Sequence, residues 1–209
     1  MKLTIPYNVT SFLTNLSTFG WKGTFKIANA NTANTANTAN TANSTTLVSD
    51  SIITLQDYLF QHKSMSYELV EQMILHLGNQ MILMSDNHLG LLFFKLDSVL
   101  LLDNAYFLIA DLTTMVPMNS KEQLTLNYPL KMEGLLSPEL VDVSTLPVVV
   151  SITSSYYSLG LLCVACLGLD LGLDLDLDLD LDTIMNSKMY FFLQRCLQSD
   201  PNKRYFLYI

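Results

Sequence analysis

The chain has 209 residues, half of them hydrophobic and 14% charged. That is enough apolar material for one domain's core and too little charge for a disordered chain. The net charge of −8 is localised, with Asp170, Asp174, Asp176, Asp178, Asp180 and Asp182 all in one leucine–aspartate tract. The remainder is nearly neutral and lacks a lysine–arginine cluster, so no nucleic-acid partner is expected.

The N-terminal MKLTIPYNVTSFLTN has no continuous apolar run, and no signal peptide is expected. Residues 32–43 are four copies of Thr-Ala-Asn. A period of three matches neither helix nor strand, and 28–46 reads as a low-complexity spacer. Residues 66–85 place Leu69, Met73, Leu77 and Met81 four apart, with Val70 and Ile74 beside them. Ser66 is positioned as the cap and Glu68 lies in the first turn, so the spacing predicts an amphipathic helix. SVLLL (98–102) and YFLIA (106–110) flank Asp103-Asn104-Ala105 and predict two short buried strands around a tight turn. From there to about residue 136 there is little periodicity.

Residues 146–169 carry no charge over a length that suffices to cross a bilayer. The nearest charges on either side are Asp142 and Asp170, with no lysine or arginine to set an orientation. A fully buried helix is therefore expected, and a membrane anchor is the alternative. Cys163, Cys166 and Cys196 are an odd number, and His62, His76 and His88 have no ligand spacing relative to them. Buried free thiols in a reducing compartment, the cytoplasm, follow. In the tract 167–182 leucine alternates with glycine or aspartate, which in a strand would put every leucine on one face and every aspartate on the other. It lacks the glycine-punctuated loop and bidentate glutamate of a calcium site, and reads as a low-complexity insertion. A last amphipathic segment runs over 188–209.

Taken in order, residues 47–209 resemble the C-terminal lobe of a eukaryotic-type protein kinase. LVSDSIITLQDYLF (47–60) resembles the hinge strand and the short helix after it, and 66–85 the long helix before the catalytic loop. KLDSVLLLDNAYFLIADL (95–112) resembles the run K-P-E-N-I-L-L … K-I-A-D-F-G. LLSPEL (135–140) is similar to the A-P-E motif, SSYYSLGLLCVACL (154–167) to the buried organising helix, and FLQRCLQSDPNKR (192–204) to the closing motif. The resemblance implies a mostly α (α+β) fold: a kinase-like C-lobe, with residues 1–27 as a vestigial N-lobe segment. It implies a buried ion pair between Glu139 and Arg204. It also puts Ser98 in the place of the metal-binding Asn and Asp111 in that of the D-F-G Asp, thirteen residues on. These two are then the positions for ATP and magnesium.

The departures bear on activity. Phosphoryl transfer rests on positioning and charge supplied by a few parts. The H-R-D positions fall on Leu91, Leu92 and Phe93, and a phenylalanine can neither accept a proton nor orient a hydroxyl. Asp97, the acid nearest to it, takes the place of the family's solvent-facing loop Glu, and Lys95 that of the loop Lys. Phe19-Gly20-Trp21-Lys22-Gly23 is the sole glycine-rich candidate, and Lys26 follows too closely to return under phosphates. Trp21, Phe19 and Phe25 read instead as an apolar patch packing on the lobe. A catalytically inactive kinase-like protein without a cofactor is expected, with a protein partner at a surface bared by the missing N-lobe. A divergent kinase acting on protein Ser/Thr is the enzyme alternative.

Overall fold

The computed structural model describes residues 1–28, 44–127, 133–141, 143–169 and 184–207. The chain begins with β1 (Lys2–Ile5), α1 (Thr10–Thr18), β2 (Thr24–Ala28) and β3 (Ser44–Val48). The strands form an antiparallel sheet of order β1–β3–β2, with Leu3 and Phe25 both opposite Leu47. α1 has no side-chain cap and is held by burying Phe12, Leu13 and Leu16. The expected spacer over 28–46 is narrower than its sequence suggests. Ala28 and Ser44–Thr46 are strand and pair in one register, so the Thr-Ala-Asn repeats, outside the described residues, join two strands of one sheet.

β4 (Ile52–Thr54) leads into α2 (Leu55–His62), where the Thr54 hydroxyl accepts the Asp57 N–H at 3.0 Å. α3 (Tyr67–Asp86) starts at the expected cap, its Leu69 N–H reaching the Ser66 hydroxyl at 3.3 Å. After β5 (Leu89–Leu91) and a 3-10 turn over Leu96–Ser98 come β6 (Val99–Leu102) and β7 (Tyr106–Ile109). The tight turn between them holds Asp103 and Asn104 at φ 51° and 55°, the left-handed region these two residue types tolerate best after glycine. β4, β6 and β7 form the second sheet in that order.

The stretch up to 136, expected to be irregular, contains β8 (Met115–Pro117), paired with β5, and β9 (Gln123–Leu126). Each is too short for its alternation to stand out. After α4 (Pro138–Val141), the uncharged run 146–169 divides. Val148–Ser151 is β10, paired with β9, and only Thr153–Leu167 is helix, α5. Three consecutive β-branched valines favour the extended chain. Among the described residues no helix is long and apolar enough to cross a membrane. Gly168, at φ 69°, ends α5 in the left-handed conformation, so the tract's first residues belong to a helix end. The aspartates of the tract lie outside the described residues. The last helix is α6 (Lys188–Cys196).

The result is a mixed α/β fold of several helices and small antiparallel sheets. One core gathers α1, α3, α5, α6, β6 and β7, and includes all three cysteines as free thiols. Burial pushes each thiol up, that of Cys196 to about 12, and leaves them unreactive. A smaller core packs Leu92, Phe93, Val116, Leu124, Leu126, Leu140 and Val150 between β5, β8, β9, β10 and α4.

Candidate functional site

The fold brings Ser98 and Asp111 together through the backbone. The Ser98 carbonyl accepts the Ala110 N–H at 2.8 Å and the Asp111 N–H at 3.4 Å, extending the β6–β7 ladder by one step. The side chains do not converge on a common point. The Ser98 hydroxyl donates to the Lys95 carbonyl at 2.7 Å and accepts the Lys95 N–H at 3.2 Å, closing the turn on itself. One oxygen of Asp111 accepts the Thr113 N–H at 2.9 Å, and the other lies 3.9 Å from the Lys95 ammonium.

Residues Leu3–Tyr7 come up beside this region. Together with Asp97, Leu100, Ala110 and Asp111 they line an open cleft of about 370 Å³. The Tyr7 phenol is pushed up by burial and by the neighbouring Asp111 carboxylate. Among the described residues no group of three or more acids, histidines or cysteines could hold a metal ion. The Ser98 hydroxyl is committed to its own turn.

Phe93 is fully buried in the smaller core and Leu91 and Leu92 are buried beside it, so none of the three faces the cleft. Asp97, by contrast, does line it. The glycine-rich candidate lies elsewhere. Gly20 sits against the Tyr106 hydroxyl, at the turn end of β7, whereas Asp111 follows the strand's other end. Trp21 is buried there, donating to the Ser49 hydroxyl at 3.0 Å, which in turn donates to Asp103 at 2.8 Å.

Glu139 and Arg204 meet in a bidentate pair, with N–O distances of 2.6 and 3.0 Å. The guanidinium also donates to the carbonyls of Gln198 at 2.5 Å and Ser199 at 2.9 Å, and lies 4.6 Å over the Tyr157 ring. The Ser154 hydroxyl donates to the same carboxylate at 2.6 Å. Burial pushes the Glu139 carboxyl up, but the hydrogen bonds from Arg204 and Ser154 outweigh it and hold the group below the usual carboxylate value. The pair joins α4 to the chain's last turn across the start of α5.

Sequence reasoning missed two buried polar residues on α3. Gln80 accepts the Ile109 N–H at 2.9 Å and donates to the Phe107 carbonyl at 2.8 Å, and His76 Nδ1 accepts the Phe107 N–H at 3.4 Å. Their signal was available: a histidine and a glutamine four apart, one residue before Leu77 and Met81 on the apolar stripe. No protein-family model matches the chain, and no curated protein does.

Proposed function

We propose that this chain is a protein-kinase-like module that does not transfer phosphate and serves as a binding or scaffold module for a protein partner. The observation that carries the reading is the burial of Phe93. In the resemblance, that position belongs to the acid that takes the substrate's proton, and here it holds a hydrocarbon ring sealed in the core. The kinase-like part of the reading is supported by the Glu139–Arg204 pair and by the backbone bonding of Ser98 to Asp111. A second reading, nucleotide binding without transfer, is favoured by the cleft beside Asp111.

The test is thermal unfolding with and without magnesium-ATP, alongside a phosphotransfer assay on a generic protein substrate. A ligand at a hundredfold excess over its Kd stabilises the folded state by about 2.7 kcal/mol. We expect no shift and no transfer. An upward shift lost in Asp111→Ala would establish the second reading, and transfer to substrate would overturn the first.

A further inference from the structure

α6 buries Met189, Phe192, Leu193 and Cys196. Its other face carries Phe191, Gln194 and Arg195, and Gln198 continues the same spacing just past its end. The chain then turns back over this face. Asp200 caps the 3-10 turn Pro201–Lys203, and Arg204 leaves it extended, at φ −85° and ψ 137°. In an extended segment successive side chains point opposite ways. Arg204 points inward to Glu139, and the Phe206 ring packs on α3, filling the place where a Cβ on Gly78 would stand. Lys203 and Tyr205 face out, and with the four residues above they line an open groove of about 290 Å³. One wall is thus pinned by two inward side chains, so the groove is formed before anything enters it.

The lining holds two cations and no acid. Asp200, 4.0 Å from the Lys203 ammonium, lies outside it. The Arg195 guanidinium is held in place, donating to the Leu207 carbonyl at 3.3 Å and lying 5.5 Å from the Tyr205 ring centre. It makes no ion pair among the described residues, so most of its N–H donors are left for an incoming carboxylate. The two glutamines supply the opposite character. The Gln194 amide nitrogen donates to the Tyr190 hydroxyl and that of Gln198 to the Gln194 carbonyl, both at 2.6 Å. Their side-chain oxygens accept from no described residue. Phe191 and Tyr205, 44% and 51% exposed, add apolar walls.

We infer that this groove docks an acidic segment of a partner protein. Its carboxylate pairs with Arg195, its backbone N–H groups meet the glutamine oxygens, and an apolar side chain beside the acid lies between Phe191 and Tyr205. A phosphate group, all acceptor, would satisfy the guanidinium and leave those oxygens facing it without donors; a peptide brings both. The inference rests on the reading of the chain as a binding module and gives that module a surface remote from Phe93 and Asp111.

The probe is a fluorescein-labelled peptide, Gly-Ser-Glu-Phe-Glu-Ser-Gly, titrated with the full chain and followed by anisotropy at low and high salt. We expect saturable binding that weakens in high salt. Exchanging both glutamates for glutamine, or the phenylalanine for serine, is expected to weaken it about tenfold in each case. Arg195→Glu is expected to lose this peptide and to bind a version with lysine in place of glutamate. Phe191→Ser, an exposed change on the groove wall, is expected to weaken the original peptide about tenfold with an unchanged urea midpoint. A chain that does not bind the peptide, or whose binding ignores both variants, overturns the inference. So does displacement of the peptide by an equal concentration of inorganic phosphate, which would mean an anion site that reads no segment. The phosphotransfer assay separates the two readings. An inactive chain that ignores the peptide loses only the groove, whereas transfer to substrate overturns the inactive module whatever the groove does.

Discussion

Arg204 is 3% exposed, and its charge is balanced by one carboxylate, two carbonyls and a ring face. Such a pair adds little to stability compared with a well-packed apolar substitute, but removing one member strands the other in a medium that solvates it poorly. Glu139→Ala is expected to cost about 3–5 kcal/mol, read as a fall in the urea midpoint or as loss of soluble protein. Arg204→Ala leaves a carboxylate whose side chain is 22% exposed and within reach of water, so its cost should be the smaller. Equal, negligible losses would show that the pair does not organise this region. The sign with pH follows from the lowered Glu139 carboxyl. Its contribution is present above the unfolded carboxylate value and is lost as pH falls through the folded one.

α3 completes the second sheet in a way its apolar stripe does not announce. β7 is an edge strand, and its outward N–H and C=O groups need partners. Gln80 supplies a donor and an acceptor from one amide, so the helix side chain stands where a neighbouring strand's backbone would be. Gln80→Leu keeps the size and deletes both bonds, leaving Phe107 C=O and Ile109 N–H buried. The expected loss is about 1–3 kcal/mol for each group, measured by chemical denaturation, with faster hydrogen exchange at Ile109. A variant as stable as the parent would mean that water takes the amide's place. The contrast with the rest of α3 shows what a sequence can tell. Its stripe, cap and length were legible because each is a local pattern, as was the Asp103–Asn104 turn. β8, β9 and β10 were not, because three or four residues hold too few alternations and their pairing lies far along the chain. Likewise, 146–169 reads as one hydrophobic run because hydropathy alone does not separate valine in a strand from leucine in a helix. At the cleft, Asp97 and Asp111 could be singled out from the chain, but not that Leu3–Tyr7 line the same cleft, since nothing local ties those residues to Asp111.

At the scale of the molecule, the N-terminal sheet and α1 share the main core with α3 and β7, and His76 lies at that junction. Its ring lies between Phe19, at the end of α1, and Tyr106 and Phe107 on β7, with centroid distances of 4.9, 5.6 and 6.3 Å. Burial pulls its pKa down to about 4, so the folded protein holds the ring neutral. An unfolded chain takes up a proton near the ordinary value of about 6.5. The group's contribution is therefore complete above that value and falls between pH 6.5 and 4, by about 1.4 kcal/mol per pH unit. His76→Phe is expected to flatten that part of the stability–pH curve, measured by urea midpoints at stepped pH. A parallel curve for parent and variant would place the acid sensitivity elsewhere.

Trp21 makes this junction visible. It is the chain's one tryptophan, 3% exposed, and its indole N–H ties the N-terminal unit through Ser49 to the β6–β7 turn. Every photon of intrinsic indole emission therefore comes from the seam between the two parts. A red shift that precedes the loss of helical circular dichroism would report the seam parting while α3, α5 and α6 remain folded, without any label being attached.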